Sequence, residues 1–136
     1  MQKIYFTLEK AREIIPLISL KVVELIKLHK SLDVIDSIEI EYEDEFKTTS
    51  QDIQINKKFH KLSLEFYLLL EKIHSFGCYV KDLDEGLFDF YSFHEGREIL
   101  LCWNVSEPTI RYWHEIYGGY ECRRPVSLLQ SDNLLK

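Results

Sequence analysis

The hydrophobic period of this chain changes once, at Gly77, and that change narrows the folds open to it. Before Gly77 the apolar residues recur at alternating steps of three and four. Leu8, Ala11, Ile15, Ile18, Val22 and Leu25 form one such stripe, continued by His29 and Leu32. Ile55, Phe59, Leu62, Phe66, Leu69, Ile73 and Phe76 form a second. This spacing puts each set on one face of an α-helix. After Gly77 the period falls to two, which is the repeat of a strand with one face buried. Helices followed by strands predict an α+β fold.

Local signals mark the helix ends. Thr7 is a good N-cap, with Glu9 adding favourable charge near the positive end of the helix dipole. Pro16 lies inside the first stripe, which keeps its phase, so one helix kinked at Pro16 is expected. Thr48, Thr49 and Ser50 offer N-caps for the second helix, and Gly77 suits the left-handed residue that ends it. Together these give a long antiparallel two-helix hairpin over residues 7–76. The acidic stretch from Val34 to Ser50 reads as a fraying helix end and an exposed linker, with a short strand as the alternative. Leu17, Leu20, Val23, Ile26 and Leu28 lie off the first stripe, and Leu64, Tyr67, Leu68 and Leu70 off the second. A hairpin cannot bury that surplus internally. We expect the sheet to cover part of it and a second copy the rest, in a homodimer that builds a four-helix bundle.

Strands are expected near Cys78–Lys81, Leu87–Phe93, Glu98–Trp103 and Ile110–His114, forming a small antiparallel β-meander with turns at Asp84-Glu85-Gly86 and His94-Glu95-Gly96. A symmetric three-residue loop at His94-Glu95-Gly96 would set Phe88 opposite Cys102, Phe90 opposite Leu100 and Ser92 opposite Glu98. Asp89, Tyr91 and Phe93 would then share the other face with Arg97, Ile99, Leu101 and Trp103. Tyr117-Gly118-Gly119-Tyr120 reads as a turn and Arg123-Arg124-Pro125 as extended. The expected layout is one domain over 1–126, with the meander and C-terminal loop over 78–126 and a loosely ordered tail over 127–136.

The chain has 136 residues and a formal charge of −6, which argues against a nucleic-acid binder, since that would need a basic footprint. No apolar run approaches the roughly 20 residues of a membrane span. The opening residues lack the apolar core of a signal peptide. Three widely spaced cysteines make neither a disulfide framework nor a CxxC zinc module. The expected location is the cytoplasm, with no nucleic acid and no membrane as partner.

Three stretches carry a family resemblance: YFTLEKAREIIPLI, VKDLDEGLFDF and GREILLCWNVSEPTIRYWHEIYGGYECRRPV. Gly96-Arg97-Glu98, Leu101-Cys102-Trp103, Glu107, Tyr112-Trp113-His114, Gly119-Tyr120 and Arg123-x-Pro125 follow in order. The chain resembles the prokaryotic and archaeal DUF2203 family over nearly its whole length to Val126, with Cys122 standing where the family pattern expects glycine. The resemblance implies a small cytoplasmic protein and supplies no activity.

The polar set of the C-terminal half is Asp82, Asp84, Asp89, Glu98, Cys102, Glu107, His114 and Arg123. The leading functional reading is a non-enzymatic dimeric binding or assembly module. Its ligand site would draw on Glu98, Trp103, Glu107, Trp113, His114 and Arg123, with arginine gripping an anion between aromatic walls. Internal pairing of Glu107 or Glu98 with Arg123 is the plainer account of those charges. The alternative is a metal-binding protein, enzymatic or not, with Cys102, Glu107 and His114 as ligands. Thiolate, carboxylate and imidazole suit Zn²⁺ or Fe²⁺. Acid–base work by Glu98 or Asp82 with His114, or a Cys102 nucleophile with His114 as base, has no local signature. His29 reads as a polar position that fixes register on the first helix, His60 and His74 as solvated, and His94 as a turn residue.

Overall fold

The computed structural model describes residues 3–42, 49–117 and 123–130. Helix α1 spans Leu8–Tyr42 and α2 spans Thr49–Ser75. Five strands follow: β1 (Cys78–Asp82), β2 (Leu87–His94), β3 (Arg97–Asn104), β4 (Tyr112–Glu115) and β5 (Arg124–Pro125). One helical turn, α3 (Ser127–Gln130), closes the described chain. The sheet is antiparallel with strand order β1-β2-β3-β4-β5. The α+β class and the helical hairpin are therefore as the two periods require. Among the described residues, no helix is long and apolar enough to cross a membrane.

The N-terminus of α1 is capped as expected: Lys10 N donates to Thr7 Oγ1 at 3.2 Å, and Ala11 N to Thr7 O at 3.0 Å. Pro16 sits inside the helix with its side chain outward. The first stripe is the core face. Ala11, Ile18, Val22 and Leu25 are fully buried, but beyond Leu25 the buried positions are Leu28, expected off the stripe, and Ile35, while His29 and Leu32 are half-buried. The α1 helix runs on through Tyr42, so the alternation Ile38-Glu39-Ile40-Glu41-Tyr42 is helix, neither strand nor linker. That stretch has no Gly or Pro to stop a helix, and alternation alone is a weak strand signal when every second residue is Glu.

The α2 helix ends at Gly77, whose φ is +87° and whose N donates to His74 O at 2.9 Å. A Cβ there would lie 2.5 Å from the Phe6 ring. Glycine is thus required both by the backbone and by the N-terminal segment packed over it. That segment runs along β2 beyond the end of β1. Phe6 N donates to Tyr91 O at 2.9 Å, and the Phe6 ring meets Phe90 edge-on at 5.6 Å.

The β2–β3 register corrects the expectation drawn from a three-residue loop. His94 pairs with Arg97, and only Glu95 and Gly96 lie in the turn, with φ of 53° and 76°. Both central residues are left-handed, as a two-residue type I′ turn demands. Phe88 therefore faces Trp103, Asp89 faces Cys102 and Phe90 faces Leu101. Every residue of β3 changes face relative to the three-residue reading. Cys78, Phe88, Phe90, Ile99, Leu101, Trp103 and Trp113 now point to the helices and join α1 and Ile73 of α2 in one core. The far face carries Tyr79, Asp89, Tyr91, Leu100, Cys102, Tyr112 and His114.

Of the C-terminal calls, Tyr117-Gly118-Gly119-Tyr120 falls mainly on 118–122, outside the described residues. Arg124–Pro125 is extended and pairs with β4. Val126 is buried in the core, with its N bonded to Arg111 O at 2.9 Å, so the chain is anchored before α3 begins.

Candidate functional site

The corrected register builds one row across four strands on the far face: Tyr79, Asp89, Cys102 and Tyr112 stand side by side. His114 lies in the next row, opposite Leu100, diagonal to Cys102. Its ring is 0 % exposed, as is Cys102, and Asp89 is 6 % exposed. His114 Nε2 is 3.2 Å from Asp89 Oδ1, while its Nδ1 is 2.8 Å from the carbonyl of Glu115. A carbonyl only accepts, so Nδ1 carries the proton and Nε2 is turned inward. The sulfur of Cys102 completes the group: one ligand atom each from Asp89, Cys102 and His114 lie within 4.8 Å of one another.

Burial alone would lower the imidazole pKa. Hydrogen bonds to Asp89, to the Cys102 sulfur and to the Glu115 carbonyl, with the Asp89 charge, outweigh it and push His114 up to about 10. A proton bridging Nε2 and the carboxylate is one way to balance this buried cluster. The geometry is not that of a catalytic triad. There the two ring nitrogens of His serve the acid and the nucleophile separately. Here Nε2 faces the acid, Asp89, and Nδ1 is spent on the backbone, so neither nitrogen is left to serve a nucleophile. Cys78 lies on the opposite face, and burial, with the Asp89 charge, raises its thiol far above the usual range, leaving it inert.

The other candidate residues disperse. Trp103 and Trp113 are in the core under the helices. Trp103 Nε1 donates to Glu107 O at 2.9 Å. Glu107 Oε1 accepts from Asn104 N at 2.9 Å and from Arg123 Nη2 at 2.8 Å. Arg123 also lies over the Tyr112 ring at 4.2 Å and reaches Cys102 O at 3.5 Å. Glu107 and Arg123 thus clamp the β3–β4 connection onto the sheet, as the internal-pairing account has it. Glu107 is not part of the group around His114; Asp89 takes the place that chain proximity assigned to it. Glu98 binds Lys3 Nζ at 2.9 Å and Tyr5 Oη at 3.1 Å, tying down the N-terminal segment.

A second, exposed group joins α1 to the β1–β2 turn. His29 Nε2 lies 3.1 Å from Asp84 Oδ1 and 3.5 Å from Asp33 Oδ2. His29 therefore fastens a sheet turn to the helix. His74 packs on Tyr79 at 5.1 Å, and burial lowers its pKa. The ring of His94, at the end of β2, packs on Trp113 at 5.4 Å.

Compared with known proteins, residues 4–126 match the sequence model of a family described as "Uncharacterized conserved protein (DUF2203)". This chain belongs to the DUF2203 family. The match covers both helices, all five strands and every residue of the buried cluster. Neither curated proteins nor solved structures give a match. The family supplies no chemistry, so any function for this DUF2203 protein is argued from its own side chains.

Asp89 stands in the polar set of the C-terminal half but in neither of the sites read from the sequence. Its signal is an acid at the centre of Leu87-Phe88-Asp89-Phe90-Tyr91, where a carboxylate has to find a partner within the sheet.

Proposed function

We propose that this DUF2203 protein is a non-enzymatic binding or assembly module that works as a homodimer, two helical hairpins packing into a four-helix bundle. The observation that carries this reading is the incomplete cover of the hairpin. Among the described side chains of α2 only Ile73 is fully buried; Phe59, Leu62, Phe66 and Leu69 are half-buried. Beside them Leu64, Tyr67 and Leu68 are exposed, and α1 exposes Leu17 and Leu20, the latter 85 % accessible. A cleft of about 340 Å³, lined by Ser31, Val34, Ile35, Ile55, Lys58 and Leu62, leaves the seam between the helices part-open.

Each large apolar side chain that leaves water contributes about 1.5–3 kcal/mol. Leu17 and Leu20 on α1 and Leu64 and Leu68 on α2 are such side chains, exposed in the single chain. A second copy offers the same side chains, and a two-fold arrangement uses both sets at once. The occupant is therefore a second copy of this chain. Without a triad, and with Glu107 and Arg123 paired to each other, the far face of the sheet serves binding and not turnover. Light scattering coupled to gel filtration at micromolar concentration tests the assembly. A mass twice that of the 16.3 kDa chain supports it, and a clean monomer ends it.

A further inference from the structure

We propose that Asp89, Cys102 and His114 form a binding site for one divalent transition-metal ion of the zinc class. This goes beyond the assembly reading and stands on different residues. Three observations carry it.

The first is tautomer control. Glu115 O accepts from Nδ1 at 2.8 Å, so Nε2, 3.2 Å from Asp89 Oδ1, is the nitrogen that would give up its proton to bind an ion. Metal-bound histidines are held in this way by a carbonyl or carboxylate on the other nitrogen.

The second is spacing. Atoms bonded to one ion at 2.0–2.3 Å are at most about 4.6 Å apart. The three donors already lie within 4.8 Å of one another. The 3.2 Å between Nε2 and Oδ1 corresponds to two bonds of about 2.05 Å meeting at about 103°, close to tetrahedral. The ligands stand on three neighbouring strands whose register brings them together.

The third is chemistry. A thiolate, a carboxylate and a neutral imidazole together carry two negative charges, which a divalent cation neutralises in a site shut off from water. Nitrogen, sulfur and oxygen donors together favour a borderline-soft ion over Mg²⁺ or Ca²⁺, which take oxygen. Three protein donors leave a fourth position open for water or a small ligand. The His29–Asp33–Asp84 group makes an internal control: its donors are equally close, yet both carboxylates are exposed and there is no sulfur.

The test uses the full, untagged chain stripped with chelator and titrated with Co²⁺. One equivalent should produce a sulfur-to-cobalt charge-transfer band and the intense visible bands of a four-coordinate ion. Cys102→Ser should abolish the charge-transfer band, and His114→Gln and Asp89→Asn should each weaken binding at least about tenfold. Asp84→Asn should change nothing. Circular dichroism shows which variants fold, and only folded variants are compared with the folded wild-type chain. No charge-transfer band in the wild type overturns the proposal. So does a band that survives Cys102→Ser, or one that is lost with Asp84→Asn.

Discussion

Asp89 on β2 and His114 on β4 are 25 residues apart in sequence and meet over the intervening strand β3, with Oδ1 3.2 Å from Nε2. The contact exists because the β2–β3 turn has two residues. With three, Asp89 would leave the row of Cys102, and the far face would hold a histidine without its acid. The turn, the register and the polar cluster are one feature.

Removing one partner of this pair is therefore costly. In metal-stripped protein, Asp89→Ala leaves a buried histidine uncompensated and should cost about 3–5 kcal/mol in urea unfolding. Adding His114→Leu to it should recover part of the loss. Additive costs in that cycle would mean that the two residues do not interact.

The raised pKa of His114 gives a direction to pH dependence in the stripped protein. A group whose folded pKa is raised stabilises fully below its unfolded value, near 6.5, and the contribution disappears as pH rises toward about 10. Stability should fall across that window in the wild type and stay flatter in the His114→Leu, Asp89→Ala double variant.

The turn itself can be improved. Glu95 holds a φ of 53° with a side chain that disfavours it. Glu95→Asn makes the Asn-Gly pair preferred in type I′ turns and should stabilise by about 0.5–1 kcal/mol. A loss of stability would mean that the loop is not a two-residue turn.

These cases show what could be read from the sequence. The stripe from Ala11 to Val22, the Thr7 cap and the Gly77 terminus rest on neighbours three or four residues apart, and they are where local rules put them. The register was not legible. Leu87-Phe88-Asp89-Phe90-Tyr91-Ser92-Phe93 has aromatics on both faces, so its alternation does not say which face is buried. A three-residue turn would put Trp103 on the face of Asp89. The shift by one moves Trp103 into the core and brings Cys102 to the acid. Glu107 looked like a ligand because it is close to Cys102 in the chain; in space Arg123 holds it.

Glu98 supplies a second pH-dependent contact, and its sign is opposite. Hydrogen bonding from Lys3, aided by Tyr5 and the Lys3 charge, lowers its pKa against the opposing effect of desolvation. A lowered carboxyl contributes above its ordinary value, near 4.5, and the contribution is lost as pH falls through the folded value. Glu98→Gln should thus be less stable than wild type at pH 7, and the two should converge as pH falls through the lowered value. An unchanged difference at low pH would contradict the contact.

For the proposed hairpin interface, Leu20→Glu combined with Leu64→Glu should leave the fold intact by circular dichroism and give a monomer where the wild type gives a dimer. Both side chains are exposed in the single chain, so their replacement touches no internal packing. A variant that stays dimeric would place the interface elsewhere.

The most direct measurement of the central claim is X-ray absorption at the zinc edge on protein loaded with one equivalent of Zn²⁺. The account predicts one sulfur at about 2.3 Å and nitrogen and oxygen neighbours at about 2.0–2.1 Å, with the sulfur lost in Cys102→Ser. A shell of oxygen and nitrogen alone, or a zinc that washes away from the folded wild-type chain, would contradict it.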